Sequence, residues 1–191
     1  MIENLFPTPI YSTIINNFDI VQKEVADSVK CEEYSYTEDW GKTHFISHKP
    51  NKPSDYINDH NLVFLKNEIM FHMGKYLEYI NSDLKRVPEI TKSWVSFFNP
   101  GDYSHVHCHG HYEFGGVYYH KTNGLDGDIF FDCPTPQITA TKQLMHLGGR
   151  WNHKPHPGKL LLFPGWLKHG VETNTTNNNR ISISFNIELN P

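Results

Sequence analysis

The sequence predicts a mainly β (α+β) fold, in which a β-barrel carries two helices on its outside. Aromatic residues make up 14% of the 191 residues, which favours a β-rich core. From about residue 90, short β-branched and aromatic runs alternate with Gly, Pro and Asn turn signals. That pattern is typical of a sandwich or barrel. Before it, apolar residues recur at helical spacing.

Two helices are predicted in the first part of the chain. Phe18, Val21 and Val25 recur at three- and four-residue steps and predict a helix over about 18–30. Leu65 and Ile69 belong to a second series, which predicts a helix over about 60–80. The two prolines between these helices, in segment 49–54, indicate a loop.

Seven strands are predicted in the second part of the chain. Their expected ranges are 90–98, 103–111, 114–120, 128–132, 159–163, 169–173 and 180–189. Segment 134–157 carries Pro and His and is expected to loop over one end of the barrel. We therefore expect one domain over 1–191, with a helical flank at about 1–88 and a core barrel at about 89–191.

Composition excludes several classes of protein. The formal charge is −4 and no Lys/Arg run exceeds two residues, so a nucleic-acid partner is not expected. The longest strongly apolar stretch, 160–163, is too short to cross a bilayer. Cys31, Cys108 and Cys133 are odd in number and far apart, as expected for free thiols. We expect a cytoplasmic protein without a membrane partner, and allow for a homodimer.

A ladder of histidines is the most unusual feature of the sequence. His105, His107, His109 and His111 alternate along one predicted strand and would face the same side. Neighbours two residues apart lie roughly 6.6 Å apart, so one adjacent pair can share a metal ion. The third ligand must come from elsewhere. His169 is the best candidate, because it begins a strand directly after a Phe-Pro-Gly-Trp turn.

The ladder has an alternative explanation, since alternating histidines can be solvated or bind metal adventitiously. Eight other histidines lack such spacing and are expected at the surface or in loops. They are His44, His48, His60, His72, His120, His146, His153 and His156.

A second polar pattern lies in the last predicted strand. Alternation puts Arg180, Ser182 and Ser184 on one face, with apolar residues on the other. A guanidinium beside hydroxyls matches the geometry of a bound carboxylate. The alternative is a salt bridge between Arg180 and Asp128 or Asp132.

Four ordered motifs connect these two features. They are GDYSHVHCH at 101–109, GGVYY at 115–119, GKLLLFPGWLKH at 158–169 and RISISFN at 180–186. Together they resemble the 2-oxoglutarate–Fe(II) oxygenase family found in bacteria and marine phages. The opening LFPTPIY at 5–11 is similar too, so the resemblance covers nearly the whole chain.

The resemblance implies a double-stranded β-helix (jelly roll, cupin-like) with Fe(II) in the mouth of the barrel. His107, His109 and His169 fall on its metal-ligand positions. In the wider superfamily the first motif is His-x-Asp or His-x-Glu, so His109 places a neutral ligand where a carboxylate is expected. Asp102 or Glu113 could supply a carboxylate instead, although neither has the two-residue spacing of that motif.

The resemblance also implies 2-oxoglutarate as co-substrate. Arg180 falls on the position that pairs with its distal carboxylate, and Ser182 or Ser184, and Tyr119, would add hydrogen bonds. With O₂, oxidative decarboxylation to succinate and CO₂ would drive hydroxylation of a C–H bond in an unidentified substrate. No catalytic side chain beyond the metal site is expected.

The substrate side and the reaction type leave alternatives open. Trp94, Asn99 and Trp166 are expected near the substrate, although barrel packing would equally explain the tryptophans. A three-histidine cupin-type dioxygenase without 2-oxoglutarate would match the histidine count, whereas Arg180 and Ser182 argue against it. A non-catalytic metal-binding barrel is the other alternative.

Overall fold

The computed structural model describes residues 7–30, 34–36, 43–47, 54–80, 85–137 and 149–191. The helices in these ranges are α1 (Phe18–Val29), α2 (Tyr56–Asp59) and α3 (Val63–Tyr79). The strands before residue 100 are β1 (Tyr11–Ile14), β2 (Tyr34–Tyr36), β3 (Phe45–Ser47) and β4 (Val87–Phe98). Those after it are β5 (Ser104–His107), β6 (Phe114–Lys121), β7 (Ile129–Asp132), β8 (Arg150–His153), β9 (Lys159–Pro164), β10 (His169–Val171) and β11 (Arg180–Asn190).

Two antiparallel sheets face each other and form the double-stranded β-helix. The larger sheet has the strand order β1-β9-β6-β11-β4-β3-β2, and the smaller has the order β5-β10-β7-β8. Val117 and Phe163 from the larger sheet pack with Ile129 and Phe131 from the smaller one in a single buried cluster. This cluster joins the two sheets and confirms the predicted barrel.

The helices cover the outer face of the larger sheet. Val21 of α1 and Ile69 of α3 share a buried cluster with Ile183 and Phe185 of β11. Arg180 and its alternate neighbours instead line a cavity between the sheets. The predicted alternation along the last strand is therefore confirmed, because one face of β11 packs in the core beneath the helices and the other face lines the cavity.

The flank before residue 88 is not purely helical, which corrects the prediction. Strands β1, β2 and β3 all join the larger sheet, β1 at one edge and β2 at the other. Each has only three or four residues, too few for a recognisable period. β1 pairs with β9 and β3 pairs with β4, whereas β2 pairs with its neighbour β3.

Several predicted boundaries also differ from the structure. The strand expected over 103–111 ends at His107, and a strand replaces part of the expected loop at Arg150–His153. The second helix begins at Val63 and follows the short helix α2. The predicted loop at 49–54 lies almost wholly outside the described residues, as does the middle of segment 134–157.

Three of the histidines expected at the surface are buried. His44, His72 and His120 are only 4%, 2% and 7% exposed. His72 lies on the inner face of α3, three residues after Ile69, and the Tyr11 hydroxyl contacts its Nδ1 at 2.8 Å. His60, His153 and His156 are partly or fully exposed. His48 and His146 lie outside the described residues.

No helix within the described ranges is long and apolar enough to cross a membrane.

Buried histidines should make the protein sensitive to acid. Burial lowers the pKa values of His44 and His120 to about 4. The unfolded chain binds protons on these groups at about pH 6.5, and the native state only near pH 4. Protonation therefore favours unfolding, and the free energy of unfolding should fall between those pH values, by up to about 1.4 kcal/mol per pH unit and histidine.

Denaturant titrations of the metal-free protein between pH 7 and pH 5 would measure this slope. His120→Leu removes one titrating group and should flatten it, whereas His156→Leu, at an exposed position, should leave it unchanged. A wild-type free energy that stays constant over this range would contradict the prediction.

Candidate metal centre

Three imidazoles converge at one end of the smaller sheet. His107 ends β5 and His169 begins β10, and the two residues are direct register partners. His109 follows in the turn after β5, where its backbone N–H donates to the Gly165 carbonyl at 2.7 Å. One nitrogen of each ring lies within 4.8 Å of the other two. The Nε2 atoms of His109 and His169 are 3.1 Å apart.

Each imidazole is held through its Nδ1 atom by an oxygen. The acceptors are the His105 carbonyl for His107 and the Leu167 carbonyl for His169, both at 2.8 Å. For His109 the acceptor is the side-chain oxygen of Asn186. An Nδ1 that donates carries the proton, which leaves the Nε2 lone pair free to bind a metal.

Burial keeps the imidazole rings of His107, His109 and His169 neutral. Desolvation lowers the pKa of His107, lowers that of His109 to about 4 and lowers that of His169 well below its usual range. Repulsion from neighbouring imidazoles adds to the shift of the last two. Because only neutral imidazole binds a metal ion, all three rings are ready to act as ligands at neutral pH.

The structure selects one adjacent pair from the predicted ladder. His105 and His111 are exposed and lie outside the cluster. Cys108, between the two clustered histidines, is also exposed and does not belong to the cluster. The ladder therefore does not act as one strand face, because β5 ends at His107 and the chain turns.

Neither acidic residue near the first motif takes part in the cluster. The Asp102 carboxylate accepts the Asn99 N–H at 2.8 Å, and Glu113 accepts the Leu189 N–H at 3.1 Å. The group of described side chains placed to share a metal ion consists of histidines alone.

A glycine makes room for the ring of His109. A Cβ added at Gly115 would lie 2.9 Å from His109 Nδ1 and 2.7 Å from the Phe163 ring. Gly115 lies on β6 opposite Asn186 of β11, so the ring rests against the backbone of the larger sheet. The third imidazole therefore depends on both sheets.

Arg180 occupies the same cavity and is buried, at 1% exposure. Its Nη1 donates to the Gly127 carbonyl at 2.7 Å, and its guanidinium carbon lies 3.9 Å from the centre of the Phe98 ring. Its Nε has no hydrogen-bond partner. In the part of the chain that the structure describes, Arg180 forms no ion pair with an acid, and Asp132 pairs with Arg150 at 2.9 Å. The salt-bridge explanation of Arg180 is therefore wrong.

Polar groups surround the guanidinium. Tyr119, Ser182 and Ser184 line the same cavity as Arg180, and their expected hydrogen bonds to a bound carboxylate stay a prediction. Burial raises the pKa of Tyr119 to about 12, so its hydroxyl stays protonated and able to donate. Sequence reasoning missed three polar residues that line the cavity, which are Ser96, Ser104 and His44. Ser96 lies two residues after Trp94 on β4, so the strand period that places both on one face could have revealed it.

The three residues expected on the substrate side lie in different places. Trp94 lines the cavity, with its ring centre 6.1 Å from that of His109. Trp166 is 55% exposed and lines a neighbouring groove beside His111. Asn99 lies in the turn after β4, where its side chain contacts Asn179 at 3.3 Å.

Gly115→Ala should weaken metal binding more than it weakens the fold. The added methyl would displace the His109 ring, and misplacing a ligand typically costs about 10–100-fold in metal affinity. Calorimetric titration with Mn(II) would measure the loss. Gly74→Ala is the matched control, because no atom lies within 4 Å of the added carbon. Equal Mn(II) affinity in Gly115→Ala and wild type would contradict the assigned position of the ring.

Comparisons with known proteins agree with this geometry. Residues 92–186 match the model of a family described as "Putative 2OG-Fe(II) oxygenase". No curated protein matches the chain in sequence.

Solved structures with the same fold share little sequence with the chain. An oxidoreductase of the 2OG-Fe(II) oxygenase family from Burkholderia pseudomallei is 8% identical with a TM-score of 0.68, covering 94% of this chain and 84% of its own. The α-ketoglutarate-dependent epimerase SnoN of nogalamycin biosynthesis is 12% identical with a TM-score of 0.67, covering 94% and 77%. A Pseudomonas putida prolyl-4-hydroxylase is 14% identical with a TM-score of 0.59, covering 95% and 92%.

The family match spans β4 to β11 and includes the clustered histidines and Arg180. The chain therefore belongs to the 2OG-Fe(II) oxygenase family, whose enzymes use Fe(II), 2-oxoglutarate and O₂.

Proposed function

We propose that this oxygenase hydroxylates a C–H bond of its substrate, at an Fe(II) ion bound by His107, His109 and His169. One observation carries the proposal. Three imidazoles whose Nδ1 atoms are each held by an oxygen share a cavity with Arg180, a buried cation that forms no ion pair with any described acid. A metal ion and a dicarboxylate would complement these two halves of the cavity.

The chemistry of the histidines suits Fe(II). Imidazole nitrogens are good ligands for iron, and three ligands from one side leave positions open for a chelating co-substrate and O₂. When bound, iron would provide the redox chemistry by which O₂ reacts with 2-oxoglutarate. The protein holds the rings through the His105 and Leu167 carbonyls and the Asn186 side chain, so the ligand geometry exists before the ion binds.

The other half of the cavity suits the distal carboxylate of 2-oxoglutarate. Among the described residues no carboxylate forms an ion pair with this buried guanidinium, and only the more distant charges of Asp126 and Asp128 act on it. A bound carboxylate would offset the remaining desolvation cost. Arg180 would supply charge and a planar donor fork, while Ser182, Ser184 and Tyr119 would donate further hydrogen bonds.

The remaining walls would keep water from the reacting centre. Val117, Ile129 and Phe163 are buried and line the same cavity. Trp94 lies beside His109, where a substrate would approach the metal. We place the substrate on that side and treat the exposed Trp166 as part of its approach.

Hydroxylation is the simplest outcome of this chemistry but not the only one on this fold. Similar structures include a prolyl-4-hydroxylase, the epimerase SnoN and the carbocyclase SnoK. The three-histidine dioxygenase that works without 2-oxoglutarate is disfavoured, because it gives Arg180 no role. The cytoplasmic location and the homodimer stay predictions. The free thiols of Cys108 and Cys133 support the cytoplasmic location.

Turnover of 2-oxoglutarate tests the proposal directly. Incubation with Fe(II), O₂ and 2-oxoglutarate should yield succinate and CO₂, and should accelerate when a true substrate is added. A substrate gaining one oxygen atom per succinate formed would support hydroxylation. Substrate oxidation without succinate would instead favour the direct dioxygenase.

Arg180→Ala should abolish tight binding of 2-oxoglutarate and leave metal binding intact. Truncating one partner of a buried charge pair typically costs about 2–5 kcal/mol, roughly thirtyfold to several-thousandfold in affinity. Arg180→Lys should restore binding only in part, since an ammonium lacks the planar fork.

Anaerobic calorimetry with Mn(II) in place of Fe(II) would measure both affinities. Arg150→Ala is the control, because Arg150 is exposed and pairs with Asp132 away from the cavity. Unchanged 2-oxoglutarate affinity in a folded Arg180→Ala variant would overturn the assigned carboxylate site.

A further inference from the structure

Asn186 is the side chain that holds the third imidazole, and it is a neutral amide. We propose that Asn186 is a positioning residue that orients His109, and that its neutral amide adds no negative charge beside this ligand, which strengthens the coupling between metal and 2-oxoglutarate binding. The inference rests on the proposed function, because it takes the three histidines as ligands and Arg180 as the carboxylate site.

Asn186 acts from the sheet opposite the ligand pair. It is 4% exposed on β11, with Gly115 and Lys92 as its register partners on the two neighbouring strands. The His109 ring rests against Gly115. The Asn186 amide therefore lies beside that ring, and its oxygen accepts the Nδ1 hydrogen.

This hydrogen bond differs from those of the other two ligands. His107 and His169 donate to backbone carbonyls two residues earlier in their own segments, which no substitution removes. His109 lies beyond the end of β5 and depends on a side chain 77 positions away. Without that acceptor its ring could rotate or carry the proton on Nε2, and either change removes a ligand.

The hydrogen-bond acceptors of the three rings are all uncharged. Two are carbonyls and one is an amide oxygen, and the histidine cluster contains no carboxylate among the described residues. A divalent ion bound here would keep its full charge. It would share a poorly solvated cavity with the Arg180 cation, and the ammonium of Lys92 acts on His109 as well. The carboxylates of Asp126 and Asp128 act on Arg180 but do not line this cavity.

Two cationic centres in one cavity repel each other, and low polarity makes the repulsion strong. A dianion with one carboxylate on the metal and the other on Arg180 would offset both charges at once. Metal binding should then strengthen 2-oxoglutarate binding, and by thermodynamic linkage 2-oxoglutarate should strengthen metal binding by the same factor.

Three variants separate the orienting role from the charge. Asn186→Ala removes the acceptor, and should weaken Mn(II) binding about 10–100-fold, the usual effect of losing such a partner. Asn186→Asp keeps the shape and acceptor but adds a negative charge. It should bind Mn(II) more tightly than the alanine variant, and 2-oxoglutarate should improve that binding less than in wild type. Asn190→Ala, farther along the same strand, is the matched control.

The measurement is the Mn(II) dissociation constant with and without saturating 2-oxoglutarate, by anaerobic calorimetry. For wild type we expect at least about a fivefold improvement, the lower end of typical coupling between sites. Pyruvate, which has the chelating keto acid but no distal carboxylate, should produce a smaller improvement, because it leaves Arg180 uncompensated.

The outcomes distinguish this inference from the proposed function. If wild type binds neither Mn(II) nor 2-oxoglutarate, the proposed function itself fails. If wild type binds both without coupling, 2-oxoglutarate does not chelate the metal and the proposed function fails as well. If folded Asn186→Ala binds Mn(II) like wild type, the proposed function stands and the role of Asn186 is overturned. Equal coupling in Asn186→Asp and wild type would overturn the charge argument even if the alanine variant does not fold.

Discussion

The antiparallel pairing of His107 with His169 across β5 and β10 is the constraint on which the metal centre depends. Side chains alternate along a strand, so a shift of one residue would turn one of these imidazoles to the opposite face. β10 is also paired with β7, whose Phe131 belongs to the core between the sheets. The ligand geometry is thereby tied to the packing of the whole barrel.

The third imidazole illustrates what the larger sheet contributes. His109 lies beyond the end of β5, where regular strand geometry no longer directs its ring. Its position depends on the Gly165 carbonyl for the backbone, on Gly115 for space and on Asn186 for orientation. Two of these residues belong to the larger sheet and the third to the turn between β9 and β10. The centre therefore forms only when both sheets are assembled.

Charge is the second organising property of the cavity. A buried arginine usually has an acidic partner, whereas Arg180 has the Gly127 carbonyl and the face of Phe98. A guanidinium over an aromatic ring gains some cation–π stabilisation, but less than a carboxylate provides. The free protein thus carries an unfavourable charge that its ligand would relieve, and ligands that bind only the native state stabilise it.

The sequence by itself determined the elements that rest on local periodicity. The two helical patterns and the alternation of Arg180 and Ser182 with apolar residues follow from side-chain direction along regular backbone. The ordered motifs added the family and the histidines expected to bind the metal, including the distant His169. These features are readable because neighbours in sequence impose them.

Only the tertiary structure decided the features that depend on distant partners. It explains how His109 joins the cluster while His105 and His111 stay outside it, through a chain turn and the glycine at position 115. It added β1 and β3, whose few residues pair with the distant strands β9 and β4, and β2, which pairs with β3. It buried His44 against Phe98 and placed Asn186 beside His109. The physical reason is common to all of them: each depends on contacts between residues far apart in the chain, which local spacing does not encode.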